Sequence, residues 1–573
     1  MNLFAGIVSL DAAVHLPSEQ VLAELRARLT RAPEARPDAH VTEAGAFFWI
    51  DFGLYGTGGV QRDPTGSVSM LVGDPLCGTS VGQLCAEWRA RSTKALQASR
   101  GSFCGVHFDA TERRLWLLTD KLGLRPLYYF HSGPLVVFAS ALRVLDGFSL
   151  VPGEGDLQAV TETACFGYPL AARTPLAAVR TVEPAQIVEI TAAGLRISEY
   201  WRWDEIPVQN ATPDEACAVL RDTFHDAVRL RLGSARRVPA LLSGGLDSRC
   251  VVAGLRHAGA AVDTINFGPE GSADLVLGRK AAEALGTNHF EVAQGSHDFW
   301  SRLGQAHAQW HQHCGAQYEG TSARLLWTGE GGDRVLAPVN LSHAIVTRMR
   351  ADEPDKAIAT YMHAERSGLP RRLFRHAARE WIRRLPQAGV RAELERYDPP
   401  DRARRFHLYV LLNESRRNIY RHFEDLDLNQ FELVMPFYDA EMVRAALSFP
   451  FDPFIGHELY YRWLSFLPAS VSAVAWQPYP TAPRCPLPLP ADVRMQWSGW
   501  YSRAELREQR RSYLGLSHAL MRAAQFPHWL LNRQVLAVAR VLLCLGVQRY
   551  GYVFDVARPF VQYPPDERSS PQY

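Results

Sequence analysis

The stretch Val238-Pro-Ala-Leu-Leu242-Ser243-Gly244-Gly245-Leu246-Asp247-Ser248 decides how the second half of this chain is read. An apolar run suited to a strand over 238–242 enters a glycine turn, and the turn opens a helix expected over about 247–258. Glycines let the main chain approach a ligand with no Cβ in the way. The N–H groups of such a turn, together with the helix N-terminus, suit a pyrophosphate. The Ser243 and Ser248 hydroxyls can donate to phosphate oxygens, and Asp247 can hold the Mg²⁺ that a triphosphate brings. No GK[ST] is present, so this is not a Walker A loop. The plain alternative is a tight strand–helix turn capped by Ser and Asp.

Working outward, strands are expected over 262–267 and 289–292, with a helix over 274–285 between them. Such alternation predicts a parallel sheet with crossover helices. Upstream, Thr212 as N-cap, Pro213 at the first helical position and Glu215 three residues after the cap mark a helix start. A domain boundary is placed near 205–212. Before it, short β-rich runs at 46–50, 67–72, 115–118 and 135–138, separated by Gly, Asp and Pro, predict a layered β-rich domain. Residues 342–465 read as mostly helical, and 478–490, with six prolines, as an extended loop.

A chain of 573 residues is too long for one ordinary core. Its formal net charge of +2 gives no global reason to expect nucleic acid. Nine cysteines without a CxxC pair signal neither a zinc ribbon nor a disulfide framework, which suits a cytoplasmic protein. The opening MNLFAGIVSLD does not read as a secretion signal, and the apolar run 541–547 is too short to span a bilayer. His307, His311, His313 and Cys314 lack a second ligand cluster at metal spacing, so a helix face is expected there. The twelve arginines from Arg366 to Arg405 read as a solvated helical face.

Ser243–Ser248 resembles the PP-loop of the ATP pyrophosphatases, and its surroundings resemble the asparagine synthetase family. Further resemblances follow in order: Phe267 to Asp274 with Ala284 to His289, the loop Thr328-Gly329-Glu330-Gly331-Gly332-Asp333, Val434 to Asp439, and Leu467 to Ser470 with Trp476. The resemblance implies an α/β fold. It consists of an N-terminal degenerate class II glutamine amidotransferase-like domain (Ntn-type αββα) over 1–204 and a C-terminal PP-loop parallel-sheet domain over 213–573. It implies ATP and Mg²⁺, with Asp247 and Asp333 as metal ligands. Ser243, Gly244, Gly245 and Ser248 would grip phosphates, Leu242, Phe267, Thr328 and Gly329 would line adenosine, and Glu330 would take the proton of an attacking amine.

In the same family the glutaminase half begins MCGIAGIV. Here Asn2 stands where that cysteine should be, and Val72-Gly73-Asp74 stands for its glutamine-gripping NGE. Asn supplies no thiolate, so glutaminase activity is not expected and the amine should come with the substrate. Among relatives without the cysteine, lasso peptide cyclases resemble this chain best, with weak support from Arg249 and the GGD form of the second loop. That resemblance implies a precursor peptide as substrate, with a leader peptidase and a leader-recognition protein as partners, and neither nucleic acid nor membrane. The lysine that other synthetases use near the late LPAS…W element is absent, since no lysine follows Lys356. Arg484 and Arg494 are the nearest substitutes. The proline loop would either cover a peptide or serve as a surface connector. Alternatives are a small-molecule amide or β-lactam synthetase, an ammonia-dependent asparagine synthetase, or a non-catalytic scaffold of the same fold.

Overall fold

The computed structural model describes the chain except residues 34, 56–58, 79–80, 91, 294–298, 366, 479–483, 492, 496–502 and 570–573. In the front half, two six-stranded antiparallel sheets lie face to face. One runs in the order Val179–Thr181, Tyr128–Ser132, Leu135–Ala139, Leu3–Ser9, Gly45–Ile50, Asp38–Val41. The other runs Gly194–Glu199, Gln186–Thr191, Arg114–Thr119, Phe103–Asp109, Val68–Gly73, Val60–Arg62.

Strand alternation explains the layering. In Leu3–Ser9, Phe4 and Val8 point into the core between the sheets, where they meet Met70, Val106 and Leu117. Leu3, Ala5 and Ile7 point the other way, into a core shared with Leu25 and the helices of the back half. Behind the second sheet, Leu71, Phe103 and Leu118 pack with Leu84 and Leu96 of two short helices. The result is helix, sheet, sheet, helix, the α/β sandwich expected.

The Pro213–Leu232 helix opens with the expected capping box, Thr212 and Glu215 each bonding the other's backbone N–H. The back half then forms a five-stranded parallel sheet in the order Asn288–Ala293, Ala261–Gly268, Arg237–Leu241, Leu325–Trp327, Glu432–Val434. From its central strand the chain winds outward twice, then returns to the other side. This reversal opens a crevice beyond the strand ends, between the loops after Arg237–Leu241 and Leu325–Trp327.

Two expectations need correction or limit. The arginines between 366 and 405 are not all solvated: Arg404 is buried and donates to the Ala446 and Phe449 carbonyls, and Arg396 joins Glu183 and Glu199 of the front half. Fixed carboxylates and carbonyls there replace water. Of the proline loop, residues 479–483 lie outside the described residues, as does Arg366. His307 is buried against Phe431, ring centroids 4.4 Å apart, and its Nε2 meets the Ala323 carbonyl at 3.0 Å.

The last helices do not extend the parallel sheet. Phe554 and Phe560 of Tyr552–Gln562, with Leu530 and Leu536, share a core with Leu157 and Val160 of the front-half helix Leu157–Phe166. Gly155 N–H donates to the Pro564 carbonyl at 3.1 Å, and the Tyr563 hydroxyl donates to Asp146 at 2.8 Å. No described helix is long and apolar enough to cross a membrane.

Candidate active site

The turn after Arg237–Leu241 is wound on its own hydroxyls. Leu242 N–H still donates across the sheet to Ile265 at 3.0 Å. Ser243 N–H then donates to Ser248 Oγ at 3.1 Å, and Gly245 N–H to Ser243 Oγ at 3.2 Å. Gly244 N–H donates to the Asp274 carboxylate at 3.1 Å, so the turn already seats one anion. A Cβ on Gly244 would lie 2.7 Å from the Ala273 carbonyl oxygen, which excludes any larger residue. Arg249, buried just beyond the turn, donates to the Val474 and Ala475 carbonyls and holds the turn against that segment.

The second loop lies directly on the first. Thr328 N–H donates to the Val434 carbonyl at 3.0 Å, continuing the sheet. A Cβ on Gly329 would lie 2.4 Å from Ser248 N, and one on Gly332 2.6 Å from Asp247 Oδ1. Only glycine permits this approach, and it brings Glu330 and Asp333 against Asp247.

The electrostatics record the crowding. Burial, then the Asp333 carboxylate, push Asp247 up to about 8; the Tyr460 hydroxyl, donating to Asp247 Oδ1, opposes the shift. Burial, then Asp333, push Glu330 up to about 7, with the Arg334 guanidinium opposing. Arg334 is itself held at 2.9 Å by Glu414, which a π-helical turn, Val410–Ser415, directs toward it.

Buried like charges disfavour ionisation, and a divalent cation between them removes the conflict. The Asp247 and Asp333 oxygens are hard donors suited to Mg²⁺, which is usually held by one or two carboxylates plus substrate phosphates. Among the described residues, no group of three or more His, Cys, Asp or Glu converges as a metal site. The residues present thus fit an ion that arrives with phosphate oxygens.

Above the loops lies a cleft of about 680 Å³, within the range of small-molecule sites. Leu242, Ser243, Asp247, Ser248, Phe267, Thr328, Gly329, Glu330 and Asp333 all line it. Gly245 faces an adjoining smaller pocket, and Gly244 lines neither. Of the two arginines named as lysine substitutes, Arg494 reaches the cleft and Arg484 does not. Sequence reasoning missed Phe299, whose ring lies 5.5 Å from Phe267, Arg302, 5.6 Å above the Phe267 ring, and Tyr438. It also missed a role for Asp274, although the motif containing it was in view.

At the position of the missing cysteine, Asn2 is fully buried. Its side-chain N–H donates to Glu432 at 2.8 Å and its carbonyl accepts from Phe52 N–H at 2.9 Å. Arg125 forks onto both Glu432 oxygens at 2.9 and 2.8 Å, and Asp74 lines a small cavity between the two halves with Tyr55 and Tyr438.

Comparison with known proteins agrees with this architecture. Residues 219–459 match the asparagine synthase family, and residues 82–201 match the glutamine amidotransferase domain. The chain is 25% identical over 227 residues to asparagine synthetase [glutamine-hydrolyzing] 1 of Bacillus subtilis, covering 38% of this chain and 35% of that protein. It is 30% identical over 295 residues to the human asparagine synthetase [glutamine-hydrolyzing], covering 45% of this chain and 48% of that one. The chain thus spans between about a third and a half of the length of these relatives. The region similar to the asparagine synthase family thus lies behind a region similar to a glutamine amidotransferase domain.

Proposed function

We propose that this protein is an ATP-dependent macrolactam synthetase of the lasso peptide type. It adenylates an Asp or Glu side chain of a leader-processed core peptide and joins it to the peptide's own α-amine, with AMP and diphosphate as products. The observation that carries this reading is Asn2. With its amide committed to Glu432 and Phe52, the front half offers no nucleophile there to free ammonia from glutamine, so acid and amine belong to the incoming substrate. A leader peptidase and a leader-recognition protein are its expected partners, in a cytoplasmic setting.

In this reading Leu242, Phe267, Thr328 and Gly329 hold adenosine, and Ser243 and Ser248 donate to phosphates. Asp247 and Asp333 would hold Mg²⁺, which supplies charge neutralisation to the departing diphosphate. Glu330, in the same cleft and with its proton affinity raised, accepts the proton that the amine loses on attack.

The experiment is direct: full-length protein, ATP, Mg²⁺ and a candidate core peptide, with mass spectrometry for loss of one water and assays for AMP and diphosphate. Release of ADP and phosphate instead would refute the reaction class. A second reading, ammonia-dependent asparagine synthesis, is favoured by the names of the matched relatives. Aspartate with ammonium in place of the peptide tests it, with asparagine as the readout.

A further inference from the structure

The front-half loop 167–173 meets the back half at one strained residue. Ala171 has a φ of 54°, in the left-handed region that a side chain rarely occupies. Such backbone persists where its surroundings enforce it, often at functional sites. Here the back half takes both polar groups of the residue. Ala171 N–H donates to Asn413 Oδ1 at 3.0 Å, and its carbonyl accepts from Arg416 at 3.0 Å and from Arg417 at 2.5 Å. The loop is also pinned from its own side: Glu162 accepts from Leu170 N–H at 2.8 Å and pairs with Arg173 at 2.6 Å.

Asn413 belongs to the π-helical turn Val410–Ser415. Single π-turns inside a helix are rare and frequent at functional sites. The buried Asn413 amide is used at both ends, its oxygen on Ala171 N–H and its own N–H on Glu393 at 2.8 Å. The next residue, Glu414, is equally committed. One of its oxygens holds Arg334 at 2.9 Å, and the other accepts from the Tyr361 hydroxyl at 2.9 Å. Arg334 in turn stands 3.7 Å from Asp333. Ser415 then lines the main cleft beside Arg334. Three consecutive residues of one turn thus meet the front half, the loop of Glu330 and Asp333, and the cleft.

Resting on the amide-forming reading above, we infer that the front half serves as a brace for the amide-forming site, with Asn413 as the positioning residue that carries it. Ala171 fixes the Asn413 amide, the amide fixes the π-turn, and the turn sets Glu414 on Arg334. Arg334 follows Asp333 directly in the chain, so displacing its guanidinium displaces the loop that bears Glu330. Asn413 itself does not line the cleft, and its effect on the reaction runs through Glu414 and Arg334. A front half without a nucleophile at Asn2 keeps, on this account, a geometric task.

The test compares Asn413→Ala, and the swap Asn413→Asp with Glu393→Gln, with the unaltered full-length protein. The swap reverses the donor and acceptor at Glu393, retains an oxygen for Ala171 N–H and leaves net charge unchanged. Hydrogen exchange needs no substrate: amides over 328–335 should exchange about tenfold faster in Asn413→Ala, the scale of one buried hydrogen bond, and at the parental rate in the swap. Turnover is read as AMP release from ATP with Mg²⁺ and the core peptide of the assay above. Asn413→Ala should lower kcat by roughly 10²-fold with KM for ATP unchanged, and the swap should recover most of it. Parental exchange over 328–335 in Asn413→Ala, a loss carried by KM for ATP, or a swap no better than Asn413→Ala overturns the inference. If Asn413→Ala fails to fold, the swap decides alone, and a loop exchanging faster than in the parent counts against the brace. If the unaltered protein releases no AMP, the amide-forming reading fails, while exchange still decides whether the brace exists.

Discussion

Asn2 and Glu432, 430 positions apart in the chain, share a buried hydrogen bond of 2.8 Å that ties the front half to the edge strand of the parallel sheet. That strand, Glu432–Val434, pairs with Leu325–Trp327, which runs into the loop bearing Glu330 and Asp333. Asn2 is therefore a structural tie one strand away from the loop bearing Glu330 and Asp333.

Replacing Asn2 by alanine leaves the Phe52 N–H without its partner and Glu432 Oε1 with Arg125 alone. A buried unsatisfied group of this kind costs about 1–3 kcal/mol, to be read as a lowered denaturant midpoint with an unchanged slope. Asn2→Cys should restore no glutamine hydrolysis, because the side chain would sit among Glu432, Arg125 and Phe52. Glutamate release above background from that variant would contradict this account.

In the nucleotide-free protein the buried carboxyls of Asp247 and Glu330 should contribute less stability as pH rises, against the buried histidines, among them His307 and His422, whose contribution rises with pH. Asp247 holds its proton in the folded state up to about 8, against an ordinary 3.8, and Glu330 up to about 7, against an ordinary 4.5. Between those limits these two groups bind more protons in the folded state than in the unfolded one, so their contribution to stability falls with rising pH. Asp247→Asn should remove part of that falling contribution and move the slope of melting temperature against pH, from 5 to 8, in the positive direction relative to the parent. An unchanged slope would mean that the buried acid cluster does not govern stability over this range.

Amide formation should show an ascending limb near pH 7 as Glu330 ionises, since a base must be free to accept the amine's proton. Glu330→Gln should abolish that limb and lower kcat by roughly 10²–10⁴, while AMP affinity stays within a small factor. A Gln variant with the parental pH profile would assign the proton to another group.

Gly332→Ala presses a methyl group onto Asp247, 2.6 Å from Oδ1. The carboxylate must turn away, and ATP turnover should fall by about 10²-fold or more, the scale of losing one preorganised charge. Circular dichroism should remain unaltered. Full turnover in this variant would mean that Asp247 is not held where the two loops meet.

Much of this was legible locally. The run 238–248 carries strand, glycine turn and acidic helix start in a dozen residues, and the observed strand Arg237–Leu241 and helix Asp247–His257 follow it closely. The Thr212 and Glu215 capping box was equally local. Convergence of Asp247 with Glu330 and Asp333 came through resemblance, because no periodicity relates loops so far apart. Tyr460, Phe299 and Arg302 stayed hidden for the same reason: Phe299 and Arg302 reach the site from the helix Phe299–Cys314 and Tyr460 from Glu458–Leu464, and a side chain on a helix carries no mark of what it faces. Arg404 was misread as solvated because its partners are carbonyls at 446 and 449, invisible in a charge pattern.

The sharing of one core by the Tyr552–Gln562 and Leu157–Phe166 helices has a consequence for manufacture. As the ribosome extrudes the chain, part of the apolar face of the earlier helix waits uncovered until residues 552–562 have been made. Premature termination anywhere before Phe554 thus leaves greasy surface on the front half, a handle by which quality control can discard unfinished copies.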